Sequence, residues 1–374
     1  MPLCEIMSQK IDLRNLTADE VENFVVELGL PAARGKQLFG WLYRPGHKDL
    51  AGPGGIGREV RARLAGHAEV SSLEPEKVEI SRDGTMKFLF RLADGVGIES
   101  VLIPAEGRYT LCLSSQAGCA MGCRFCLTGA MGFTRNLRPA EMVNQLLAVM
   151  EYMIRAGIVR ETPRQLVNNL VFMGMGEPLA NYGNLLTALT ILMDERGLGF
   201  SERRVTVSTC GLVPRMRDLG RDIRVNLAVS LHAPDDATRS GLMPVNDSYP
   251  VAALLDACRD YPLSRHRVIL FEYILFQGIN DSAETALLLA ERLQGIPCRI
   301  NLLPYNESAC LPYRRPAMET IEAFRAELHR AGVRALIRNS RGADIAAACG
   351  QLAGGNATKG QENDLPRRTQ RAQR

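Results

Sequence analysis

The chain has 374 residues, 46% hydrophobic and 23% charged, with a formal net charge of +4. Those proportions exclude a mostly disordered chain, and no run approaches the 18 apolar residues of a membrane helix. Length alone allows two to three domains, or one α/β barrel with additions. Met1 to Leu16 carries no apolar export segment, so the expected location is the cytoplasm. Five basic and two acidic residues lie between Ala353 and Arg374. The body is therefore nearly neutral, and any nucleic-acid surface must be a local patch.

Thr17 and Glu20 form a capping box, followed by Val21, Phe24, Val25 and Leu28 at helical spacing. Further helices are expected over Ala33–Tyr43 and Arg58–Leu64. Residues 1–68 thus read as a small helical domain. The period then changes. Val78–Ile80, Lys87–Leu92 and Ile98–Leu102 read as strands, with Asp83-Gly84 and Asp94-Gly95 as hairpin turns. This antiparallel linker covers residues 69–104.

From residue 105 to 352 the pattern is strand, loop, helix, repeated. Strands are expected at Leu111–Ser114, Leu170–Met173, Val205–Ser208, Val225–Leu231, Val268–Leu275 and Arg299–Leu303. Helices are expected at Ala140–Ala156, Asn184–Asp194, Val251–Tyr261, Ala283–Gln294 and Met318–Ala331. Repeated βα units imply an α/β fold with a parallel sheet. Six units are too few for the closed eightfold barrel, so an open (β/α)6 partial barrel is expected, with its chemistry on the loops after the strands. Residues 353–374 read as a disordered basic tail.

Ten cysteines in such a chain point to metal or redox chemistry, not to a disulfide scaffold. Cys119, Cys123 and Cys126 form a C-x3-C-x2-C loop just after the first barrel strand. Three thiolates can hold three irons of one 4Fe-4S cubane, leaving the fourth iron open to another ligand. With Phe125 before the last cysteine, the loop resembles the radical S-adenosylmethionine (SAM) signature. A structural zinc site is the alternative, but it wants four closed ligands and no second knuckle is present.

The loops after later strands supply a candidate cofactor site. Met173 to Pro178 is Gly-rich, and its Gly176 allows close backbone approach to a ligand. Glu177 suits an α-ammonium group. Ser208, Ser230, Leu231 and His232 end the third and fourth strands, and Asn306 follows the sixth, where it can pair with an adenine edge. Cys112 lies on the first strand. Cys349 lies in a small-residue stretch, Gly342 to Leu352. Cys210, Cys258, Cys298 and Cys310 read as small buried hydrophobes, and Cys4 has no assignable role.

Leu111–Cys119, the cluster loop, Met131–Leu137, Met173–Pro178, Ser230–Ala233 and Gly342–Leu352 together resemble the RlmN/Cfr family. Its members are dual-specificity radical SAM enzymes that methylate adenine carbon in RNA; the chain is most similar to the RlmN branch, from about Leu13 to Leu352. The resemblance implies a 4Fe-4S cluster on Cys119, Cys123 and Cys126, and two SAM molecules per turnover. SAM contacts would fall to Gly176, Glu177, Ser208, Ser230, Leu231, His232 and Asn306. Cys349 would carry a methyl group as S-methylcysteine and become tethered to the RNA. Cys112 would then attack that sulfur in a transient disulfide and release the product. Glu99 would be the proton acceptor at the base; by itself it reads only as an acidic residue on a strand edge.

The implied substrates are adenosine 2503 of 23S rRNA and adenosine 37 of tRNA, methylated at carbon 2. The implied partners also include an electron donor of flavodoxin or ferredoxin type, and the implied state is a monomer. Arg14, Arg34, Lys36, Arg44 and Lys48 can contact phosphates. The competing readings are a Cfr-type enzyme acting on carbon 8 and a non-catalytic iron–sulfur RNA-binding protein.

Overall fold

The computed structural model describes residues 10–50, 56–158 and 166–354. Cys4 and the basic residues from Lys359 onward lie outside the described residues. Ala353 and Gly354, assigned above to a disordered tail, are instead buried.

The N-terminal helices form where the sequence places them. β1 (Ile11–Asp12) pairs in parallel with β2 (Ala68–Glu69). Between them run α1 (Ala18–Glu27), α2 (Ala32–Leu42) and α3 (Arg58–Leu64). The capping box of α1 is present in both directions: Glu20 N–H donates to Thr17 Oγ1 and Thr17 N–H to Glu20 Oε2. Gly35 of α2 lets the two helices touch, because a Cβ there would lie 2.6 Å from Glu22 Cα.

The linker and the barrel are one sheet. β3 (Pro75–Ile80), β4 (Met86–Arg91) and β5 (Gly97–Ala105) run antiparallel and join β6 (Arg108–Cys112). After β6 comes a small hairpin of β7 (Gln116–Gly118) and β8 (Phe133–Asn136), with the short α4 (Leu127–Ala130) inside it. From β6 the neighbours are all parallel: β9 (Asn169–Phe172), β10 (Val205–Thr209), β11 (Asn226–Ser230), β12 (Ile269–Leu275), β13 (Cys298–Pro304) and β14 (Ala335–Ile337). The crossover helices are α5 (Pro139–Arg155), α6 (Tyr182–Met193), α7 (Val213–Asp222), α8 (Asp236–Leu242), α9 (Val251–Arg259), α10 (Ala283–Arg292) and α11 (Met318–Arg330). The expected open partial barrel is therefore observed, with a seventh parallel strand. β14 has only three residues, too few to show a period.

Apolar burial follows the pattern of each element. Along β10 and β13 one row is apolar and wholly buried (Val205 and Val207; Ile300 and Leu302), while the alternate row carries polar residues (Thr206 and Ser208; Arg299 and Asn301). Most of the first three turns of α5 is buried, including Gln145 at 0% exposure. Its amide accepts from Ser114 N–H and Ser100 Oγ–H and donates to the Ser114 carbonyl, so it fixes the chain as it leaves β6.

One basic residue is corrected. Arg14 is not a surface residue that could meet phosphate; it is 3% exposed. Its guanidinium donates to the carbonyls of Leu42, His47 and Ser71 and to Asn144 Oδ1 on α5. It joins the N-terminal helices, the linker and the barrel in one contact. Replacing Arg14 with Leu should cost about 3 kcal/mol, because four buried acceptors lose their donor. Arg14→Lys should recover only part, since an ammonium cannot span the same fork. Urea unfolding checks both; a loss below about 0.5 kcal/mol in Arg14→Leu, the range of a surface change, would contradict the assignment.

Candidate active site

The loops after the parallel strands line a cavity of about 160 Å³ that opens to solvent. Cys119, Cys123 and Cys126 line one side. Gly176 and Glu177 after β9, Ser208 at the end of β10, Ser230 and His232 at the end of β11, and Cys349 line the rest. Nine residues singled out from sequence thus face one space. Asn306 faces an adjoining cavity that shares Phe125, Ile274, Leu303 and Cys349 with the first. Leu231 does not face either cavity. It is wholly buried, its N–H donates to the Glu272 carbonyl and its own carbonyl accepts from Arg239.

Each wall of the cavity is braced. Glu177 is 4% exposed, and its two oxygens accept from Leu179 N–H at 3.0 Å and Cys210 N–H at 2.8 Å. Burial raises its carboxyl pKa, against the backbone donors that favour the anion. Gly176 has φ +95, and a Cβ there would overlap Gln116. Its glycine is thus required by packing against the loop after β6, whatever approaches from the cavity side. Gln116 also accepts from Glu177 N–H through Oε1.

His232 sits in the left-handed region at φ 59, which is strained for a side chain of its size. Its Nδ1 accepts from Ile274 N–H and its ring stands edge-on to Phe125. Burial, helped by the Arg239 charge, lowers its pKa to about 3. It is therefore neutral at pH 7, and because Nδ1 accepts from Ile274 N–H, its ring proton sits on Nε2, which acts as a donor.

Two braces were not legible in advance. Arg239, at 0% exposure, donates to the carbonyls of Cys210, Ser230 and Leu231 and to Asn246 Oδ1. Asn280, also at 0%, donates to the His232 and Ile274 carbonyls and accepts from Phe276 N–H. Both lie where period and motif say nothing; only the number of unpaired carbonyls at the barrel mouth could have suggested them. Glu272 on β12 also lines the cavity and was missed; Asn301 donates to it. Cys210, read as a small hydrophobe, is buried as expected, yet it too lines the cavity beside Glu177.

The thiols lie free among the described residues. Burial pushes Cys119 up to about 11 and raises Cys123 and Cys126 as well. No group of three His, Cys, Asp or Glu among the described residues is gathered tightly enough for a single metal ion. A cubane does not require that, since each thiolate binds its own iron. Three thiols on one cavity wall, with the buried Arg239 charge near Cys123, fit an anionic cluster; Glu177 and the polar strand ends fit a ligand with an ammonium group.

Cys349 is exposed to the cavity, although enough protein surrounds its thiol for desolvation to push it up to about 11. Cys112 is buried on β6, and burial followed by the charge of Cys349 raises its pKa. The two sulfurs are thus electrostatic neighbours. Glu99 lies outside both cavities. It is not a solvated edge residue but 4% exposed inside the sheet, where Oε2 accepts from the N–H groups of Ala353 and Gly354.

The His232 environment has a measurable consequence. A histidine lowered in the folded state leaves the unfolded chain holding the extra proton between pH 6.5 and about 3. Stability should fall as the pH drops below 6.5, with one proton of this slope removed in His232→Gln. Denaturant midpoints across pH 4.5 to 7 test it; identical slopes in the two proteins would refute a neutral buried imidazole.

Comparison with known proteins agrees with this geometry. Residues 113–290 match the radical SAM superfamily, and residues 11–70 match the ribosomal RNA large subunit methyltransferase N-terminal domain. The chain is 51% identical to a dual-specificity RNA methyltransferase RlmN of Desulfotalea psychrophila, over 94% of this chain and 97% of that protein. It is 50% identical to the protein of the same description from Geobacter sulfurreducens, over 93% of each. The crystal structure of a radical SAM methyltransferase from Sphaerobacter thermophilus superposes with a TM-score of 0.85 at 43% identity, covering 92% of this chain and 99% of that one. The chain belongs to the RlmN family of radical SAM RNA methyltransferases.

Proposed function

We propose that this enzyme methylates carbon 2 of adenosine 2503 in 23S rRNA and of adenosine 37 in tRNA. The observation that carries the reading is the meeting of Cys349 with the three-cysteine loop in one cavity, with Cys112 buried on β6. When bound, the cluster and SAM supply both a methyl group and the reductive chemistry that makes an inert carbon reactive.

The protein's own residues divide the remaining work. Cys119, Cys123 and Cys126 hold the cluster. Glu177, Gly176, Ser208, Ser230, Leu231, His232 and Asn306 hold SAM, with Glu177 meeting its ammonium group. Leu231 acts through its backbone and the shape it gives its neighbours, because its side chain points into the core. Cys349 carries the methyl carbon as a thioether and becomes covalently joined to the base. Glu99 accepts the proton that leaves carbon 2. Cys112, as the thiolate, then attacks the Cys349 sulfur: an S–S bond forms, the S–C bond breaks with its electron pair passing to the methylene carbon, and that carbon takes up a proton to leave as the methyl group of the product. An external dithiol restores both cysteines.

Residues 1–68 contribute RNA contacts. Arg34, Lys36 and Arg44 are exposed there, while Lys48 is engaged with Glu74 and Glu151. Residues 69–104 link this unit to the barrel of 105–352, and the basic stretch beyond it makes the protein more soluble. A flavodoxin- or ferredoxin-type protein supplies electrons, and the enzyme works as a cytoplasmic monomer. No described helix is long and apolar enough to cross a membrane.

Cys112→Ala should trap a covalent protein–RNA adduct through Cys349, visible on a denaturing gel, whereas Cys112→Ala/Cys349→Ala should show none. Recovery of free, unmodified RNA with Cys112→Ala would overturn the mechanism. Mass spectrometry of nucleosides should give 2-methyladenosine; 8-methyladenosine alone would overturn the choice of carbon.

A further inference from the structure

The segment carrying Cys349 is tied down at both ends, and the two ties differ in kind. Upstream, it is locked to the tip of the β3–β4 hairpin. Ser81 Oγ–H donates to Asp344 Oδ1 at 2.5 Å, Arg82 N–H to Asp344 Oδ2 at 3.2 Å, and Gly342 N–H to Asp83 Oδ2 at 3.1 Å. Gly342 has φ +63, and a Cβ on it would lie 2.9 Å from Thr85 Cγ2.

Downstream, the contacts go to the cluster loop and to β5. Leu127 N–H donates to the Gly350 carbonyl at 2.7 Å, and Thr128 Oγ–H to the Leu352 carbonyl at 2.6 Å. Ala353 and Gly354 N–H then donate to Glu99 Oε2 at 2.8 and 3.2 Å. The backbones of Gly97 and Gly354 interlock: a Cβ on Gly97 would overlap the Gly354 carbonyl, and one on Gly354 would lie 2.5 Å from the Gly97 oxygen. The other Glu99 oxygen faces Lys87 Nζ at 3.6 Å. Oε2 is therefore filled by the protein itself, while Oε1 has only this longer ion pair among the described residues.

We propose that the downstream tie is a catch: Gly97 and Thr128 are positioning residues that hold the carrier segment closed, and Glu99 releases the segment when the target base takes the place of the Ala353 and Gly354 amides. This rests on the reading of Cys349 as methyl carrier and Glu99 as the carboxylate at the base. A base that takes up Oε2 must displace the two buried amides, so the closed form and base binding at that oxygen exclude each other. Closure seats Cys349 against the cluster loop, where it is methylated. Opening frees Glu99 and lets the segment move about its upstream lock. The closed population lowers apparent RNA affinity by the fraction of molecules that must open.

Hydrogen exchange of the full-length holoenzyme, read by mass spectrometry on peptides spanning 350–354, tests the catch. Saturation with an RNA stem-loop bearing the target adenosine should speed exchange of the Ala353 and Gly354 amides about ten-fold. The same RNA with uridine at that position should leave it unchanged. Gly354→Ala, beyond the last barrel strand, and Gly97→Ala should speed this exchange without RNA. Both should also lower KM for RNA while slowing methyl arrival at Cys349, which is followed by the mass of its peptide. A merely structural role would not lower KM. Undiminished protection at 353–354 under saturating RNA, or faster exchange in Gly354→Ala with KM unchanged or raised, would overturn the catch. If the wild-type Cys349 peptide never gains a methyl group, the carrier reading fails instead, and the exchange data still report whether the segment opens.

Discussion

A hollow at the end of a parallel sheet poses one physical problem, and the rest of this structure depends on its solution. Every strand that stops at the mouth leaves carbonyl and N–H groups without a ladder partner, and a buried unpaired group costs about 1–3 kcal/mol. Water could satisfy them, but water would compete for the same space as the ligand. Here, buried side chains do so instead. Arg239 gathers three carbonyls from the ends of β10 and β11, and Asn280 joins the loops after β11 and β12. Gln145 fixes the loop after β6, and Glu177 receives N–H groups from its own loop and from the end of β10. The strand ends around the cavity are thereby fastened to one another by buried side chains.

The cost of this arrangement appears at His232. A histidine at positive φ is strained, yet it is held by Ile274 N–H on one side and Asn280 on the other. Such strain persists only where the surroundings over-determine it. The same logic keeps the carboxylate of Glu177 buried beside three thiols. Two backbone donors compensate part of its desolvation, and the buried Arg239 lies near enough to lower the cost of negative charge at Cys123.

Much of this was readable from the chain. The capping box, the βα alternation and the C-x3-C-x2-C loop are local signals, and local signals survive folding. Nine of the residues chosen from motifs and strand ends do line one cavity. What failed was long-range. Arg14 looked like a surface cation because its four acceptors come from segments 28 to 130 residues away. Glu99 looked like an edge residue because the backbone that caps it lies some 254 positions later. Gly176 was read as a place for a ligand, whereas its missing side chain is demanded first by Gln116. Spacing along a chain carries no trace of such encounters.

The tip of the β3–β4 hairpin shows what this means for variation. Hairpin tips are ordinarily where a chain tolerates added or lost residues, because nothing depends on their length. This one, Ser81 to Thr85, is the fixed point from which the segment bearing Cys349 is hung. Lengthening it by even one residue would displace a sulfur some 260 positions away in sequence, so a surface turn inherits the intolerance of the cavity wall it anchors.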